Sequence, residues 1–468
     1  MTARPHRALH VVQVNLQSDR GGDGRIVAGL HDEYRALGYR ASLVIGRGSL
    51  PPTGGTLLPN DDYRSRWARV WLRSGGGRFT IKEASRHSKL FSWIAEPVRR
   101  RRVRRGFEDC QFPGTLPVIS RLLRGDPSVL HLHNLHGGYF DLRALPDLSH
   151  LAPIILTLHD QWTFTGHCAH SFECERWRLG CGQCPDLSIY PGIPRDRTAE
   201  NFTAKAGIFA RTRLHLTTPC KWLMDKAENS LLTPAIEEAR IIPNGVDTHV
   251  FRPGDRLKER NRLGLPAKPP IVLCSERAAR SDHWADRPLL HSTLRYLAEN
   301  GPANCTVLFM GSERNADEQI EGIPVLHRAY EGDMARVAAY YRASDVYMHL
   351  ARADTFPTAI LESLACGIPV VATAVGGIPE QIESLWASKN ASVGSSKSAT
   401  GVLVDREDST GAGRAIEELL LNKELRGRVG ENAFNSAGSR FSITRQAQNY
   451  LDWYGEVLDR RASTRSLA

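Results

Sequence analysis

The chain has 468 residues, of which 41% are hydrophobic and 24% are charged. This length predicts two or three domains, and the composition excludes a disordered chain, a fibrous protein and a small disulfide scaffold. Because the 61 Lys and Arg residues outnumber the 51 Asp and Glu residues, the net charge of +10 predicts an anionic partner. The candidates are nucleic acid, a membrane surface and a phosphorylated substrate.

The N-terminal region has the pattern of a strand, a glycine turn and a helix. We predict a strand at residues 10–16, a turn at 18–24, a helix at 26–37 that ends at Gly38, and a second strand at 41–45. The first strand is too short and too polar for the hydrophobic region of a signal peptide. No apolar run approaches the roughly 18 residues of a membrane span, so we expect a cytoplasmic protein.

The excess charge lies in one segment. Residues 63–106 contain 14 basic and two acidic residues, whereas the rest of the chain contains 47 basic and 49 acidic residues. Trp67, Val70 and Trp71 share one face of a predicted helix, so part of the segment is amphipathic. The residues that we expect to meet an anionic membrane surface are Arg66, Arg69, Arg73, Arg99, Arg100, Arg101 and Arg102.

The alternative for this basic segment is a solvated loop, because charge runs are commonly just solvated. Nucleic acid is disfavoured as the partner, since no zinc-finger, RNP or helix-turn-helix pattern lies beside the basic residues. The sequence therefore favours reversible binding to a membrane surface.

Strands and helices alternate through the rest of the chain. The predicted strands are 128–133, 154–159, 214–218, 239–243, 270–274, 306–310, 346–350, 368–372 and 401–404. Strands separated by helices form parallel sheets, so we predict an α/β protein with two doubly wound domains and a linker at 246–253. Because ligands of such sheets bind at the carboxyl ends of the strands, we expect a cleft between facing domains.

Four cysteines lie within seventeen residues, at Cys168, Cys174, Cys181 and Cys184. Four thiols in one loop, two of them in a Cys-x2-Cys pair, favour a structural zinc ion. Their spacing is irregular, so free or paired thiols are the alternative. The total of nine cysteines is odd, which fits reduced thiols better than a disulfide framework.

The most informative stretch is residues 353–367, Ala-Asp-Thr-Phe-Pro-Thr-Ala-Ile-Leu-Glu-Ser-Leu-Ala-Cys-Gly. Pro357 at a helix start leaves the following N–H groups without intrahelical partners, which favours an anion at this helix end. Asp354 lies on the loop before the helix and Glu362 lies inside it, so both carboxylates can bind hydroxyls of one ligand. Helix capping by Asp354 and a solvent-facing Glu362 are the ordinary alternative.

This stretch resembles the Glu-x7-Glu motif of retaining nucleotide-sugar glycosyltransferases of the GT-B fold (glycosyl transferases group 1, family 4), with Asp354 in place of the first Glu. The resemblance extends to residues 241–247 (Ile-Ile-Pro-Asn-Gly-Val-Asp), to the turn at Gly311 and to a C-terminal helix at 441–458. It implies two Rossmann-like domains that face each other across a cleft. The implied segments are an acceptor domain at 1–245, a donor domain at 246–440 and a returning helix at 441–468.

The resemblance also implies a role for each candidate residue. Glu362 binds the ribose hydroxyls of the donor, Asp354 binds the donor sugar, and His159 at a strand end is the second catalytic residue. Arg277 and Arg287 replace the Arg and Lys that the family usually places beside the diphosphate. The remaining residues that the resemblance places around the donor are Phe356, Pro357, Thr358, Gly21, Gly22 and Gly311. Without the resemblance, a strand-end His and a glycine turn have ordinary structural roles.

The implied activity is transfer of a sugar from a UDP- or GDP-sugar to a hydroxyl of a saccharide acceptor, without a catalytic metal ion or an organic cofactor. In this family the domain with the basic segment receives the acceptor, which predicts a lipid-linked saccharide and a protein peripheral to the cytoplasmic face of the membrane. Asp354 and the missing Lys leave another class open. This is a catalytically silent protein that binds a sugar nucleotide or a glycan on the same scaffold.

Overall fold

The structure is a computed structural model of the chain. The residues that it describes are 9–18, 21–51, 53–74, 86–125, 127–275, 283–302, 305–313, 315–386, 397–408 and 410–466. The chain divides into a first unit, residues 1–242 and 447–468, and a second unit, residues 243–446.

In the described part of the first unit, seven strands form a parallel sheet in the order β3-β2-β1-β4-β5-β6-β7. They are β1 (His10–Asn15), β2 (Arg40–Ile45), β3 (Thr56–Leu57), β4 (Ser128–Leu132), β5 (Ile154–Thr157), β6 (Leu214–Thr218) and β7 (Ile236–Ile241). Every residue of β1, β4, β5 and β6 is buried, as expected of strands covered on both faces. The strand order reverses between β1 and β4, which marks the edge where such sheets bind ligands.

In the described part of the second unit, seven strands form a sheet in the order β10-β11-β9-β8-β12-β13-β14. They are β8 (Ile271–Ser275), β9 (Thr306–Ser312), β10 (Ala316–Ile320), β11 (Ile323–Ala329), β12 (Val346–His349), β13 (Val370–Thr373) and β14 (Gly401–Val404). All neighbours are parallel except β10 and β11. The order reverses between β8 and β12. The predicted α/β class with two doubly wound sheets is confirmed.

Helices connect the strands of both sheets. The described helices are α1 (Gly21–Ala36), α2 (Arg66–Ser74), α3 (Arg86–Ala95), α4 (Pro97–Arg104), α5 (Thr115–Leu122), α6 (Leu145–Leu151), α7 (Thr198–Phe209), α8 (Lys221–Glu228), α9 (Arg256–Leu263), α10 (Arg287–Asn300), α11 (Met334–Ala343), α12 (Thr358–Ala365), α13 (Ile378–Gln381), α14 (Gly411–Leu421), α15 (Lys423–Arg440) and α16 (Ile443–Ser466). The helix predicted at 441–458 is α16, which continues to Ser466.

The antiparallel edge of the second sheet is missing from the sequence-based prediction. Strands β10 and β11 are joined by Glu321 and Gly322, which have φ angles of 51° and 80°. Two consecutive residues with positive φ form the hairpin turn of type I′, for which Asn-Gly and Asp-Gly are the usual sequences. Glu at the first position and the polar sequence of β10 conceal this hairpin.

The start of α1 also differs from the prediction. The turn was expected to extend to residue 24, but the helix begins at Gly21, so the glycines form its first turn. Asp23 lies in that turn, where a carboxylate is favoured by the helix dipole.

A buried polar network ties α16 to the first sheet. The Tyr454 hydroxyl lies 2.6 Å from Nδ1 of His131, and the Thr157 hydroxyl lies 2.7 Å from its Nε2. The Tyr34 hydroxyl is in turn 3.1 Å from that of Tyr454. Burial, with a smaller contribution from His159, lowers the pKa of His131 to about 3. The imidazole is therefore neutral, and each of its ring nitrogens has a hydrogen-bond partner in the core.

We predict that acid destabilises the first unit through His131. The folded chain keeps this ring neutral, whereas the unfolded chain protonates it below its ordinary pKa of about 6.5. The contribution is present above that pH and is lost as the pH falls. His131 alone should lower the free energy of unfolding by about 2 kcal/mol between about pH 7 and about pH 5.

Urea unfolding of the parent and of His131→Gln at both pH values measures this contribution. The variant should be less stable at neutral pH but should lose about 2 kcal/mol less on acidification. An equal loss in both proteins would contradict the prediction.

Candidate functional site

The loop that carries Asp354 follows β12, at the point where the strand order of the second sheet reverses. Two residues after the strand end, Ala351 exchanges two hydrogen bonds with the Thr373 hydroxyl, at 3.1 and 2.7 Å. The next N–H, of Arg352, donates to the Trp284 carbonyl at 2.7 Å. The loop is thus held by strands and turns on both sides.

A glycine turn after β13 supports the same loop. Gly377 N–H donates to the Thr355 carbonyl at 3.0 Å. Gly376 has a φ of 57°, and a Cβ at this position would lie 1.8 Å from the Asp354 carbonyl oxygen. Only glycine fits here, because any side chain would displace the backbone that carries the carboxylate.

The two carboxylates of the motif lie in different environments. The Asp354 side chain is 35% exposed, and its Oδ2 lies 3.4 Å from Nε2 of His349. Glu362 is only 4% exposed, and its Oε2 accepts a hydrogen bond from the Tyr341 hydroxyl at 3.0 Å. Glu362 therefore does not face solvent, and its burial beside a hydroxyl donor favours a role in holding a ligand.

Helix α12 begins between the two carboxylates. Pro357 is its N-cap residue and no side chain caps its first turn, so Asp354 is not a capping residue. The Phe356 ring is buried and packs edge-on against Phe441, with ring centroids 6.0 Å apart. The N–H groups that open the helix at Thr358 can therefore bind an anion.

The other predicted donor residues of the second unit are placed as follows. Arg287 is the first residue of α10 and is exposed. Gly311 lies near the end of β9 with a φ of 93°. Arg277 falls outside the described residues.

In the first unit, polar side chains from three loops form one group, the first-unit polar cluster. Nδ1 of His133, after β4, lies 3.1 Å from Nε2 of His159, after β5. Oδ2 of Asp23, in α1, accepts hydrogen bonds from Asn134 at 3.0 Å and from Asn15, at the end of β1, at 3.4 Å. Neighbouring parallel strands end at one edge, which is why these residues meet.

The histidines of this cluster are neutral. Burial lowers the pKa of His159, although Asp23 and Asp160 partly oppose the shift. Burial, together with the neighbouring histidines, holds the pKa of His133 well below its ordinary value. A neutral imidazole offers one donor and one acceptor, so His159 can hydrogen-bond a hydroxyl group without adding charge.

The predicted glycines Gly21 and Gly22 begin α1 beside this cluster. Gly21 has a φ of 78°, and a Cβ there would lie 2.8 Å from Oδ1 of Asp23. Asp23 and Asn134 were not predicted as site residues. Their positions could have indicated them, because Asp23 directly follows Gly22 and Asn134 directly follows the predicted strand 128–133.

Two of the seven arginines predicted to meet a membrane are buried. The Arg99 guanidinium forms ion pairs with Asp109 at 2.8 Å and with Glu96 at 2.6 Å. Arg100 is 9% exposed. Arg99 is paired with carboxylates inside the first unit and Arg100 is buried, so these two side chains do not face a membrane, which corrects the prediction.

Helix α2, in the same basic segment, does expose an amphipathic surface. Trp67 is 58% exposed and Val70 is 62% exposed, and the Trp67 indole N–H donates to the Ile94 carbonyl at 3.0 Å. None of the described helices is both long and apolar enough to cross a bilayer. Of the other predicted arginines, Arg69 is partly buried, and those that are exposed are Arg66, Arg73, Arg101 and Arg102.

A cavity of about 20 Å³ is lined by the cysteines predicted as zinc ligands, which are Cys168, Cys174, Cys181 and Cys184. Gly166 N–H donates to Sγ of Cys181 at 3.2 Å, and Nε2 of His167 lies 3.3 Å from Sγ of Cys184. Burial raises the pKa of Cys168 to about 12. Within the described ranges, no group of three or more His, Cys, Asp or Glu side chains is arranged to hold a metal ion. The predicted zinc site is therefore not supported.

Solved structures resemble this chain over almost its whole length. Sucrose-phosphate synthase from Thermosynechococcus elongatus has a TM-score of 0.61 and 15% identity, over 97% of this chain and 100% of that one. The Anabaena protein HepE, in complex with UDP-glucose, has a TM-score of 0.55 and 15% identity, over 96% of this chain and 99% of that one. These similarities define the fold as GT-B, as predicted.

The sequence comparisons identify the second unit more closely. Residues 255–436 match the family Glycosyl transferases group 1. A D-inositol 3-phosphate glycosyltransferase from Acidothermus cellulolyticus is 29% identical over 259 residues, which cover 50% of this chain and 51% of that protein. The chain spans about half the length of the curated relatives that it matches. The second unit is thus similar to the group 1 glycosyl transferases, the group that the sequence motif predicted.

We predict that Gly376→Ala disrupts the loop that carries Asp354. The added methyl group would lie 1.8 Å from a carbonyl oxygen, and the positive φ adds strain, so the free energy of unfolding should fall by about 1–3 kcal/mol. Urea unfolding measures the change. Gly438→Ala in α15 is the matched control, because nothing lies within 4 Å of its Cβ. Unchanged stability of Gly376→Ala would contradict this description of the loop.

Proposed function

We propose that the protein is a retaining glycosyltransferase that moves a sugar from a nucleoside diphosphate donor to a hydroxyl of a lipid-linked saccharide. The observation that carries this proposal is the second-unit site, in which the start of α12 lies between the Asp354 and Glu362 carboxylates. An uncapped helix start suits a diphosphate, and flanking carboxylates suit hydroxyl groups.

The two carboxylates bind different parts of the donor. Buried Glu362, held by the Tyr341 hydroxyl, binds the ribose hydroxyls, and the more exposed Asp354 binds the sugar. Gly311 leaves the backbone open near the base. Two comparisons support a nucleotide sugar as the ligand. The similar protein HepE was solved in complex with UDP-glucose, and the second unit matches the group 1 glycosyl transferases. The donor nucleotide is UDP or GDP.

Departure of the diphosphate is the step that needs the most stabilisation, since charge develops on the leaving oxygen. The N–H groups around Phe356 and Thr358 and the dipole of α12 supply fixed positive charge. Arg287 and Arg277 add guanidinium groups that can bind phosphate in a bidentate manner.

The first unit serves the transfer with uncharged groups. His159 is the catalytic residue that this unit supplies, because its neutral ring can orient a sugar hydroxyl without opposing the positive character that develops at the reacting carbon. The glycines at 21 and 22 allow a close approach of substrate to the start of α1. No metal ion takes part in this mechanism.

The exposed surface of α2 supports binding to an anionic membrane. Trp67 and Val70 project apolar groups beside Arg66 and Arg73, a combination typical of helices that lie in the interface of a bilayer. We therefore propose that the protein is peripheral on the cytoplasmic face of the membrane, where a lipid-linked acceptor is anchored.

A second candidate is a catalytically silent protein that binds sugar nucleotides. It is favoured by Asp354, which is one methylene shorter than the Glu of the motif. Turnover separates the two candidates, because a silent protein binds the donor without consuming it.

We predict that one sugar nucleotide from a panel that includes UDP-glucose, UDP-N-acetylglucosamine and GDP-mannose binds and is slowly hydrolysed. At 100 times its dissociation constant, a ligand stabilises the folded chain by about 2.7 kcal/mol, which a thermal shift detects. Proton NMR should show that the released sugar keeps its anomeric configuration, and EDTA should leave the rate unchanged. Binding without any turnover would favour the silent protein, and inversion would contradict the retaining mechanism.

We predict that Glu362→Gln lowers kcat/KM by about 100-fold, because hydrogen bonds to a charged group contribute about 1.5–3 kcal/mol. The change keeps the size of the side chain. Glu424→Gln is the matched control, since its side chain is 91% exposed in α15. Equal activity of the two variants would contradict the assignment of Glu362.

We predict that flotation with anionic vesicles depends on α2. Each Arg near an anionic surface contributes about 1 kcal/mol, so Arg66→Gln with Arg73→Gln should weaken binding by about 30-fold. Arg211→Gln with Arg213→Gln removes the same charge elsewhere in the first unit and should have little effect. Equal binding to neutral vesicles, or equal losses in both double variants, would contradict the membrane surface.

A further inference from the structure

A buried histidine lies behind Asp354. His349 is the last residue of β12 and is 3% exposed. Its Nε2 lies 3.4 Å from Oδ2 of Asp354, and among the described residues this nitrogen has no hydrogen-bond partner. Buried polar atoms are almost always hydrogen-bonded, and hydrogen bonds of active sites are often long without a ligand and shorten when it binds. Asp354 is therefore the natural partner of this nitrogen.

Tyr347 fixes the ring of His349. Both side chains lie on the same face of β12, because residues two apart on a strand point the same way. The Tyr347 hydroxyl lies 3.0 Å from Nδ1 of His349, and both residues are buried. When the hydroxyl donates to Nδ1, the proton of the neutral ring is on Nε2, which then donates toward the Asp354 carboxylate.

The Asp354 side chain is the part of this loop that a positioning partner can orient. The backbone of Asp354 is fixed by the glycine turn at Gly376 and Gly377, so only side-chain rotation is free. The carboxylate is 35% exposed and can turn toward water. A donor on the buried side restricts that rotation at little entropic cost, because the histidine itself is already held.

We infer that His349 is a positioning residue that orients the Asp354 carboxylate toward the donor sugar, with Tyr347 setting its tautomer. The inference rests on the proposed function and adds a determinant of sugar binding to it. Tyr341 provides a contrast, because it holds Glu362 at the nucleotide end of the same site.

Calorimetric titration tests this inference. The ligands are the tightest-binding of UDP-glucose, UDP-N-acetylglucosamine and GDP-mannose, and the corresponding nucleoside diphosphate, UDP or GDP. His349→Ala should weaken binding of the sugar nucleotide by about 10-fold and leave binding of the nucleoside diphosphate unchanged. Tyr341→Phe should weaken both ligands equally. His349→Gln should restore part of the affinity, because its amide can donate where Nε2 does.

The double variant His349→Ala with Asp354→Ala should bind the sugar nucleotide no more weakly than Asp354→Ala alone, since His349 acts only through the carboxylate. Additive losses, an equal loss of nucleoside diphosphate binding, or unchanged affinity of His349→Ala would each overturn the inference. A parent protein that binds none of the sugar nucleotides in the panel would overturn the proposed function, and this inference with it.

Discussion

The close approach of two backbone segments in the second unit determines the position of the loop that carries Asp354 and of the helix start that follows it. The turn at Gly376 comes so near the Asp354 carbonyl that no side chain fits between them. Hydrogen bonds to Thr355 and Ala351 hold the rest of the loop against β13 and its turn. Because α12 starts directly after this loop, the same contacts fix the direction of its dipole and the depth of Glu362.

The two units contribute different chemistry. The second unit offers two carboxylates that can accept hydrogen bonds from hydroxyl groups, and a positive helix end. The buried residues Tyr341 and His349 lie beside Glu362 and Asp354, respectively. The first unit offers imidazoles that burial keeps neutral. The groups of the second unit suit a donor that carries its negative charge on the phosphates and its hydroxyls on the sugar and ribose.

Much of this account could be predicted from the sequence, because parallel sheets and the motif around Pro357 have strong local patterns. The predicted strands and the GT-B fold are confirmed. The supporting residues could not be predicted, since His349 and Tyr341 act through contacts that depend on tertiary packing. Composition also overstated the basic surface. Arg99 forms ion pairs with Glu96, at the start of the same helix, and with Asp109, which lies beyond the end of that helix. The hairpin turn at 321–322 could not be predicted either, because Glu precedes its glycine where Asn or Asp is usual.

The central claim is that the start of α12 and its two carboxylates hold the donor. Amide hydrogen exchange of residues 354–362, with and without a saturating sugar nucleotide, tests it most directly. The account predicts that the N–H groups of Thr358 and the following residue exchange more slowly when the donor is bound, while exchange in the exposed part of α15 is unchanged. Exchange in 354–362 that is unaffected by bound sugar nucleotide would contradict the account.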